Sequence, residues 1–332
     1  MRLLALDGGG SKTVCLIADE LGRVRGWGSG GPSNLSFVSP EAAGAAIGGA
    51  IEAALRRAGV AGAGEPAVDV ALCSGPVRPT FLEEAVRRVV RCAAYRLAPE
   101  ADACLASAGA EFGALVLAGT GSFEYARGHD GRAHRCDGWG TLFGDEGSAY
   151  DIARRALIAV ARAEDGRGPQ TALREAVLAH FGVDSFRAVS RRIYEENLPR
   201  EQIARLAPLV APLADVDEAA RALLRDAAEA LARGVLTCLA ATGLGAEDFT
   251  LALCGGAFRA GRALIEPLLT AVQAVAPGAL PVRPRFEPVY GALRLAFRCA
   301  TLDWNDAHER AFADSVAESA QAAELAALVC AG

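Results

Sequence analysis

The sequence predicts an α/β protein made of two related lobes. Short apolar runs rich in Leu, Val and Ala alternate with alanine-rich segments of helical spacing, a pattern typical of strands and helices that follow one another. One strand–turn–strand plan occurs twice, which indicates a duplicated module. At 332 residues and 52% hydrophobic, the chain is long enough for two compact domains. We therefore expect two lobes that face each other across a ligand-binding cleft.

Apolar periodicity and the residues that end each run locate the individual elements. Strands are predicted over residues 3–6, 14–18, 68–73, 115–118 and 250–254. Helices are predicted over residues 41–59, 80–94, 148–162, 218–243 and 306–332. Alanine favours helix, and Gly59 and Gly243 stand where helices commonly end.

The repeated plan begins as "LLALDGGGSKTVCLIADELGRV" near the start of the chain and returns as "LVLAGTGSFEYARGHDGRA" from Leu115. Each copy has an apolar strand, a glycine-rich turn with hydroxyl side chains, a second strand and a polar turn before a third strand. Such a succession predicts a three-stranded meander in each lobe.

Charge and cysteine usage exclude several classes of protein. The formal charge of -6 argues against a nucleic-acid partner, because phosphate backbones are bound by clustered Lys and Arg. The nine cysteines include no C-x-x-C pair and are expected to be buried in a reducing compartment. We find no signal peptide and no apolar stretch of about 18 residues, so we expect a cytoplasmic protein with no membrane partner.

The first glycine turn, in "LALDGGGSKT", is suited to binding an anion. It leads into a strand rather than a helix, so it is a hairpin turn and not a P-loop. Its backbone N–H groups can form a concavity for phosphate oxygens, with Ser11, Lys12 and Thr13 adding hydroxyls and a cation. Asp7 alone would repel phosphate, so it indicates a divalent cation between the two. A plain tight turn explains this stretch equally well.

Two later glycine turns strengthen that interpretation. "GTGS", Gly119 to Ser122, repeats the donors of the first turn without its aspartate. Gly255 and Gly256, in "LALCGGAF", follow another buried strand and would allow a flat ring or a ribose to lie against the backbone. Three strands that each end in a glycine turn form a more specific pattern than any one of them.

The segment "CDGWGTLFGDEGSAYDIARRAL" contains four glycines before a helix, and these exclude regular structure. Asp145 and Glu146 place adjacent carboxylates on this constrained loop. The alternative is that they cap the following helix, whose first turn favours acidic residues. The density of glycines favours a functional role.

These motifs in this order resemble the N-acetylglucosamine kinase and BadF/BadG/BcrA/BcrD ATPase family. The shared motifs are "LDGGGSKT", "GPSN", "LAGTGS", "GWGTLFGDEGSAYDIARRAL" and "LALCGGAF", over about residues 2–300. The family belongs to the sugar-kinase, heat-shock chaperone and actin superfamily, so the resemblance implies an actin-like ATPase fold of two ribonuclease-H-like lobes. We assign residues 1–112 to the first lobe and 113–332 to the second, with the last helix packing back on the first lobe or at a dimer contact.

The resemblance also implies ATP and Mg²⁺ as cofactors and a role for each matched residue. Asp7 would hold Mg²⁺, and Gly255 and Gly256 would border the adenosine. The ATP phosphates would be bound by Gly8, Gly9, Gly10, Ser11, Lys12, Thr13, Gly119, Thr120, Gly121 and Ser122. The sugar would be bound by Asn34, Asp102, Gly121, Cys136 and Asp145.

The general base of the family is an aspartate, often in an "NDA" motif, at the start of a helix before the "GTGS" strand. The matching residue is Asp102, and Ala101 stands where the family has Asn. From the residues alone, an N-cap role would be preferred for Asp102.

By this resemblance, the protein is expected to be a homodimeric ATP-dependent kinase that phosphorylates N-acetyl-D-glucosamine at its 6-hydroxyl. Glucosamine and N-acetylmuramic acid are alternative substrates. Other branches of the family are ATPases that activate a redox partner through an iron–sulfur cluster held by paired cysteines. A non-catalytic sugar sensor is a further alternative, although sensors of that kind usually carry a DNA-binding helix-turn-helix ahead of the strand that leads into the first glycine turn.

Overall fold

The structure, a computed structural model, describes residues 1–60 and 67–330. These residues form two compact units, one containing residues 1–111 together with 284–330 and the other containing Phe112–Arg283. Each unit has one five-stranded mixed sheet with helices packed on it. The α/β fold class predicted from the sequence is therefore confirmed.

Ten strands and twelve helices are described. The strands are β1 (Arg2–Gly8), β2 (Thr13–Asp19), β3 (Val24–Gly30), β4 (Val68–Ser74), β5 (Cys92–Ala98), β6 (Gly113–Ala118), β7 (Ser122–Arg127), β8 (Ala133–Asp137), β9 (Phe249–Cys254) and β10 (Ala279–Val282). The helices are α1 (Pro40–Arg57), α2 (Pro79–Val89), α3 (Glu100–Ser107), α4 (Ala149–Glu164), α5 (Leu173–Phe181), α6 (Phe186–Glu195), α7 (Arg200–Ala204), α8 (Glu218–Thr242), α9 (Arg262–Gln273), α10 (Pro288–Cys299), α11 (Asp306–Ala317) and α12 (Ala322–Val329).

The two sheets have the same topology. The first has the strand order β3-β2-β1-β4-β5, and the second, counted from its antiparallel edge, has the order β8-β7-β6-β9-β10. In each sheet three antiparallel strands form a meander, and two further strands pair in parallel beside its first strand. This shared order confirms the duplication that the repeated motif predicted.

The predicted strands all form, whereas two predicted helices end differently. The predicted helix over residues 80–94 ends at Val89, and residues 92–94 belong to β5, which pairs in parallel with β4. Sheet pairing overrides the helical preference of the alanines in that stretch. The predicted helix over residues 306–332 is two helices, α11 and α12, and its last two residues lie outside the described part of the chain.

Residues 284–330, which the sequence assigned to the second lobe apart from a last helix that could pack back on the first, all belong to the first unit and cover its sheet. Phe286, Tyr290 and Phe312 are buried in one cluster with Leu3 and Ala5 of β1. Large aromatic side chains bury the most apolar surface on folding, so they decide which sheet this segment covers.

Helices α10 and α3 of the first unit approach each other closely at Gly291. A Cβ atom on this glycine would overlap the backbone carbonyl oxygen of Ala103 and lie 2.7 Å from the backbone nitrogen of Ser107. Glycine is therefore required here by space, since its φ is not in the left-handed region. The contact fixes α3, which carries Asp102, against α10.

None of the described helices is both long and apolar enough to cross a lipid bilayer.

Substitution Gly291→Ala should separate α10 from α3 and lower the free energy of unfolding by about 1–3 kcal/mol, the usual cost of overpacking. Its matched control is Gly49→Ala on the outside of α1, where no atom lies within 4 Å of the added methyl group. That control should gain up to about 1 kcal/mol from helix propensity. Thermal denaturation of the two variants and the wild type measures the difference, and equal midpoints for all three would contradict the packing argument.

Candidate functional site

The first glycine turn connects β1 to β2 and is a hairpin, as predicted. Gly8 pairs with Thr13 across it, and the Gly9 N–H donates to the Lys12 carbonyl oxygen at 2.9 Å. The turn is tied to the segment after β3, because the Thr13 hydroxyl donates to the Gly31 carbonyl oxygen at 2.9 Å. Its backbone is therefore held on both sides.

Close approach explains the first glycine of the turn. Gly8 has no positive φ, but a Cβ atom there would lie 2.5 Å from the Ser33 hydroxyl oxygen. That hydroxyl is buried and has no hydrogen-bond partner among the described residues. A buried hydroxyl without a partner costs free energy unless a water or ligand satisfies it. Ser33 therefore places an available polar group beside the turn.

Asp7 ends the apolar core of β1 and contacts the end of β4. Its Oδ1 accepts a hydrogen bond from the Ser74 hydroxyl at 2.8 Å. Burial raises the pKa of the Asp7 carboxyl from its ordinary value of 3.8 to about 6, partly offset by the Ser74 hydrogen bond. Nearby Glu287 raises the pKa further, and Lys12 lowers it. A divalent cation would favour the charged carboxylate, so the residue fits the predicted metal site.

Lys12 and Asn34 both have partners within the first unit. The Lys12 ammonium lies 3.8 Å from Oε2 of Glu287 and donates to the Leu328 carbonyl oxygen at 3.5 Å. Asn34 uses its side-chain oxygen to accept the Ser36 N–H at 2.9 Å, which closes a local turn. The Lys12 contacts are long, and both side chains are only partly buried. Neither side chain is therefore held in place by burial.

Asp102 is the third residue of α3 and is partly exposed. The N-cap position is occupied by Pro99, so the capping role considered from the residues alone is wrong. A carboxylate in the first turn of a helix is stabilised by the helix dipole. Ala101, where the family has Asn, is 4% exposed and packs inward.

The second glycine turn connects β6 to β7 and is bonded to the loop before α4. The Gly119 N–H donates to the Gly121 carbonyl oxygen at 2.9 Å. The Gly119 carbonyl oxygen accepts the Ala149 N–H at 2.9 Å, and the Ser122 hydroxyl donates to the Glu146 carbonyl oxygen at 2.7 Å. The turn and the "GDEGS" segment therefore form one structural piece.

Asp145 lies directly against this turn. Its Oδ2 is so close to Gly121 that a Cβ atom there would lie 2.7 Å away. Asp145 is 6% exposed and has φ 57°, a left-handed conformation that a non-glycine residue adopts only under constraint. Burial raises the pKa of its carboxyl, and Asp137 raises it further. Gly121 and Asp145, which are both predicted to bind the sugar, thus lie side by side in the second unit.

Asp137 supplies the constraint on Asp145, and sequence reasoning missed it. Its Oδ1 accepts the Asp145 N–H and its Oδ2 accepts the Glu146 N–H, both at 2.9 Å. Charge-assisted hydrogen bonds of this kind are stronger than neutral ones. The only signal in the sequence is an aspartate in "CDG" eight residues before Asp145.

The capping alternative for Asp145 and Glu146 is wrong. Helix α4 is capped by Ser148, whose hydroxyl oxygen accepts the Asp151 N–H at 3.1 Å. Asp151 in turn accepts the Gly147 N–H at 3.1 Å and lies 2.8 Å from Nε of Arg155. The loop is therefore held at one end by the partly buried carboxylate of Asp137 and at the other by the buried carboxylate of Asp151.

The third glycine turn follows β9 and packs on the second. Gly255 has φ 104°, and a Cβ atom there would overlap the backbone of Ala118 and Gly119. Gly256, by contrast, has no described atom within 4 Å of its Cβ position, so its surface is open. The sequence predicts that both glycines border the adenosine; Gly255 packs against the second turn, and Gly256 has open space at its Cβ position.

Cys136 lies on β8 opposite Glu124 of β7 and is partly buried. Its thiol is near Cys238 of α8, where burial raises the pKa of the Cys238 thiol and Cys136 adds to the effect.

Two further residues that the sequence did not single out, Ser33 and Ser74, belong with the first turn. The predicted sugar residues are divided between the units, with Asn34 and Asp102 in the first and Gly121, Cys136 and Asp145 in the second.

Comparison with known proteins identifies the protein family that has this fold and these glycine turns. The model of the BadF/BadG/BcrA/BcrD ATPase family matches residues 4–296, so the chain belongs to this family. This confirms the family that the motifs indicated.

Named relatives are sugar kinases. The chain is 28% identical over 266 residues, 76% of its length and 84% of the relative's, to the N-acetylmuramic acid/N-acetylglucosamine kinase of Clostridium acetobutylicum. It is 27% identical over 311 residues, 88% of its length and 97% of the relative's, to the N-acetyl-D-glucosamine kinase of Dictyostelium discoideum. A crystal structure of a candidate N-acetylglucosamine kinase from Chromobacterium violaceum is 30% identical, covers 89% of this chain and 98% of its own, and has a TM-score of 0.69.

The raised pKa of Asp7 makes stability depend on pH. Below about pH 4 the Asp7 carboxyl is largely protonated in both the folded and the unfolded state. As the pH rises to about 6, the carboxyl ionises first in the unfolded chain. The folded state is then destabilised relative to the unfolded state, because it must either keep the proton or enclose the charge. Asp7→Asn should therefore be more stable than the wild type at pH 7.5, by up to about 3 kcal/mol, and lose this advantage near pH 4. Denaturation midpoints at the two pH values test this, with exposed Asp303→Asn as the control. An Asp7→Asn curve parallel to that of the wild type would contradict it.

Proposed function

We propose that the protein is an ATP-dependent kinase that transfers the γ-phosphoryl group to the 6-hydroxyl of N-acetyl-D-glucosamine. The observation that carries the proposal is the pair of glycine turns at equivalent positions of two equivalent sheets, the second bonded to a loop that presents a buried carboxylate, Asp145. Membership of the family and the named activities of the relatives support the same chemistry.

ATP would supply the phosphoryl group, and Mg²⁺ would neutralise charge on the phosphates. Asp7 is the residue that would hold the cation, since it is a carboxylate at the end of β1 beside the first turn. Backbone N–H groups of Gly8 to Thr13 and of Thr120 to Ser122 would bind the phosphates. The Gly9 and Gly119 N–H groups already donate within their turns, so the donors come from the remaining residues.

The sugar would be oriented by carboxylate and amide side chains. Asp145 would accept hydrogen bonds from sugar hydroxyls, because Asp137 holds its backbone in one conformation and leaves its side chain against Gly121. Asn34 would contact the sugar after giving up its bond to the Ser36 N–H. Cys136 would lie beside the sugar pocket, and Gly255 and Gly256 would border the adenosine.

Asp102 would act as the general base. Its carboxylate lies in the first turn of α3 and would accept the proton from the attacking 6-hydroxyl. Ala101 cannot supply the hydrogen bond that an Asn would offer there. Helix α3, which carries Asp102, is fixed against α10 at Gly291.

An assay of ADP formation across amino sugars, with and without Mg²⁺, tests the proposal. We expect N-acetylglucosamine to stimulate ATP consumption only when Mg²⁺ is present. Glucosamine and N-acetylmuramic acid belong in the same series, because one relative acts on N-acetylmuramic acid as well. If no sugar stimulates ADP formation, the kinase assignment is wrong.

Replacement of the base provides a sharper test. Asp102→Asn should lower kcat by about 10²- to 10⁴-fold while leaving KM for sugar and ATP nearly unchanged, because a positioned base acts in the transition state. The control Glu100→Gln, at a partly buried position in the same first turn of α3, removes one charge and leaves the proposed base in place. A kcat near that of the wild type for Asp102→Asn would remove Asp102 from the mechanism.

A further inference from the structure

The second unit contains a pocket of about 280 Å³ that borders the proposed sugar site at Cys136 and also encloses Glu124, to which the proposed mechanism assigns no role. It lies between β7, β8, the loop before α4 and helix α8. Its lining includes Glu124, Asp137, Trp139, Phe143, Glu146 and Arg233. Three carboxyl groups and two aromatic rings thus meet in one small space.

Glu124 lies at the base of this pocket. It is 2% exposed, and its carboxyl packs so closely on α8 that no side chain would fit at Gly234. Among residues 1–60 and 67–330, no side chain forms an ion pair or a hydrogen bond with this carboxyl. Buried polar groups without partners are rare in folded proteins, because each costs free energy. A group of the right chemistry bound in the pocket would remove that cost.

The surroundings of Glu124 are negative. Burial, together with the charges of Asp137 and Glu146, raises the pKa of the Glu124 carboxyl to about 9. Arg135 opposes this only weakly, since its guanidinium stacks on the ring of Phe123 at 3.8 Å. The negative charges of Asp137 and Glu146 would also attract a cation to the pocket.

The charged groups around Glu124 come from three elements. From β8 they are Arg135, Cys136 and Asp137; from the loop, Glu146; from α8, Arg233 and Cys238. Arg233 lies 4.0 Å from Oε2 of Glu146, and both side chains are more than half exposed, so the pair is weak. No cation within the described structure neutralises Glu124.

Two aromatic rings complete the pocket. Trp139 is 76% exposed and Phe143 is 81% exposed, although both are large and apolar. Aromatic faces beside carboxylates are the chemistry by which proteins recognise organic cations. No group of three or more metal-ligating side chains is arranged around a metal position in the described residues. An organic cation therefore fits the lining better than a metal ion.

We propose that this pocket binds the primary ammonium group of a small organic molecule, which pairs with the carboxylate of Glu124 while Trp139 and Phe143 cover its carbon framework. On binding, the Glu124 proton passes to the solvent, so one proton is released for each ammonium ion bound. The ammonium can belong to an amino sugar with a free amine or to a non-carbohydrate amine.

Calorimetric titration of the full chain with benzylamine at pH 7.5 tests the proposal. Run in phosphate and in Hepes buffer, it should show release of about one proton per ligand in the wild type. Neutral benzyl alcohol should not bind. Glu124→Gln should bind benzylamine about ten-fold more weakly or worse and release no proton. The matched control is Glu229→Gln, which removes one charge from the exposed face of α8 outside the pocket and should behave as the wild type.

A second variant guards against misfolding of Glu124→Gln. Glu146 has an exposed side chain, so Glu146→Gln should keep the fold and still weaken benzylamine binding by about two- to ten-fold. Absence of benzylamine binding to the wild type, binding without proton release, or equal binding to the wild type and both variants would overturn the proposal.

The same titrations distinguish the two sources of the ammonium. If Glu124→Gln weakens binding of glucosamine but not of its neutral N-acetyl derivative, the pocket takes amino sugars. If it weakens benzylamine alone, the pocket takes non-carbohydrate amines, and either result supports the site. These readouts do not require turnover, so a failed kinase assay and a failed pocket assay remain separate results.

Discussion

The carboxylate of Asp137 is the constraint on which the candidate site of the second unit depends. Its two oxygens accept the backbone N–H groups of Asp145 and Glu146, and this holds Asp145 in a left-handed conformation that it would otherwise leave. Asp145 then lies against Gly121, so the second glycine turn and the loop before α4 have one relative position. Ser122 and Ala149 add hydrogen bonds between the same two segments.

The first unit reaches a comparable arrangement through close backbone contacts. Gly8 admits the Ser33 hydroxyl, Gly75 with φ 134° admits the carbonyl oxygen of Gly8, and Gly291 admits the backbone of α3. Asp7 is then partly buried beside Ser74, which donates a hydrogen bond to its carboxylate. The residue that best fits a metal ligand is therefore also one that costs folding free energy, a common property of functional sites.

Much of the site could be predicted because its residues sit on local patterns. The turns at Gly8, Gly119 and Gly255 each follow an apolar strand, and all three form where the sequence placed them. Asp102 was correctly placed at the start of a helix, although Pro99 and not Asp102 is its N-cap. By contrast, nothing local marked Asp137, Ser33 or Glu124, whose importance comes from residues distant in the chain or on other elements.

The sequence by itself determined the strands, the duplicated meander and the glycine turns, because these depend on periodicity and on backbone freedom within a few residues. Only the tertiary structure decided that residues 284–330 cover the first sheet, since that depends on which apolar face their aromatic side chains can bury. The same holds for the acceptors of the Asp145 and Glu146 N–H groups and for the carboxyl enclosed at Glu124. Packing between residues distant in the chain determines these partners. It also raises the pKa of each buried carboxyl through desolvation.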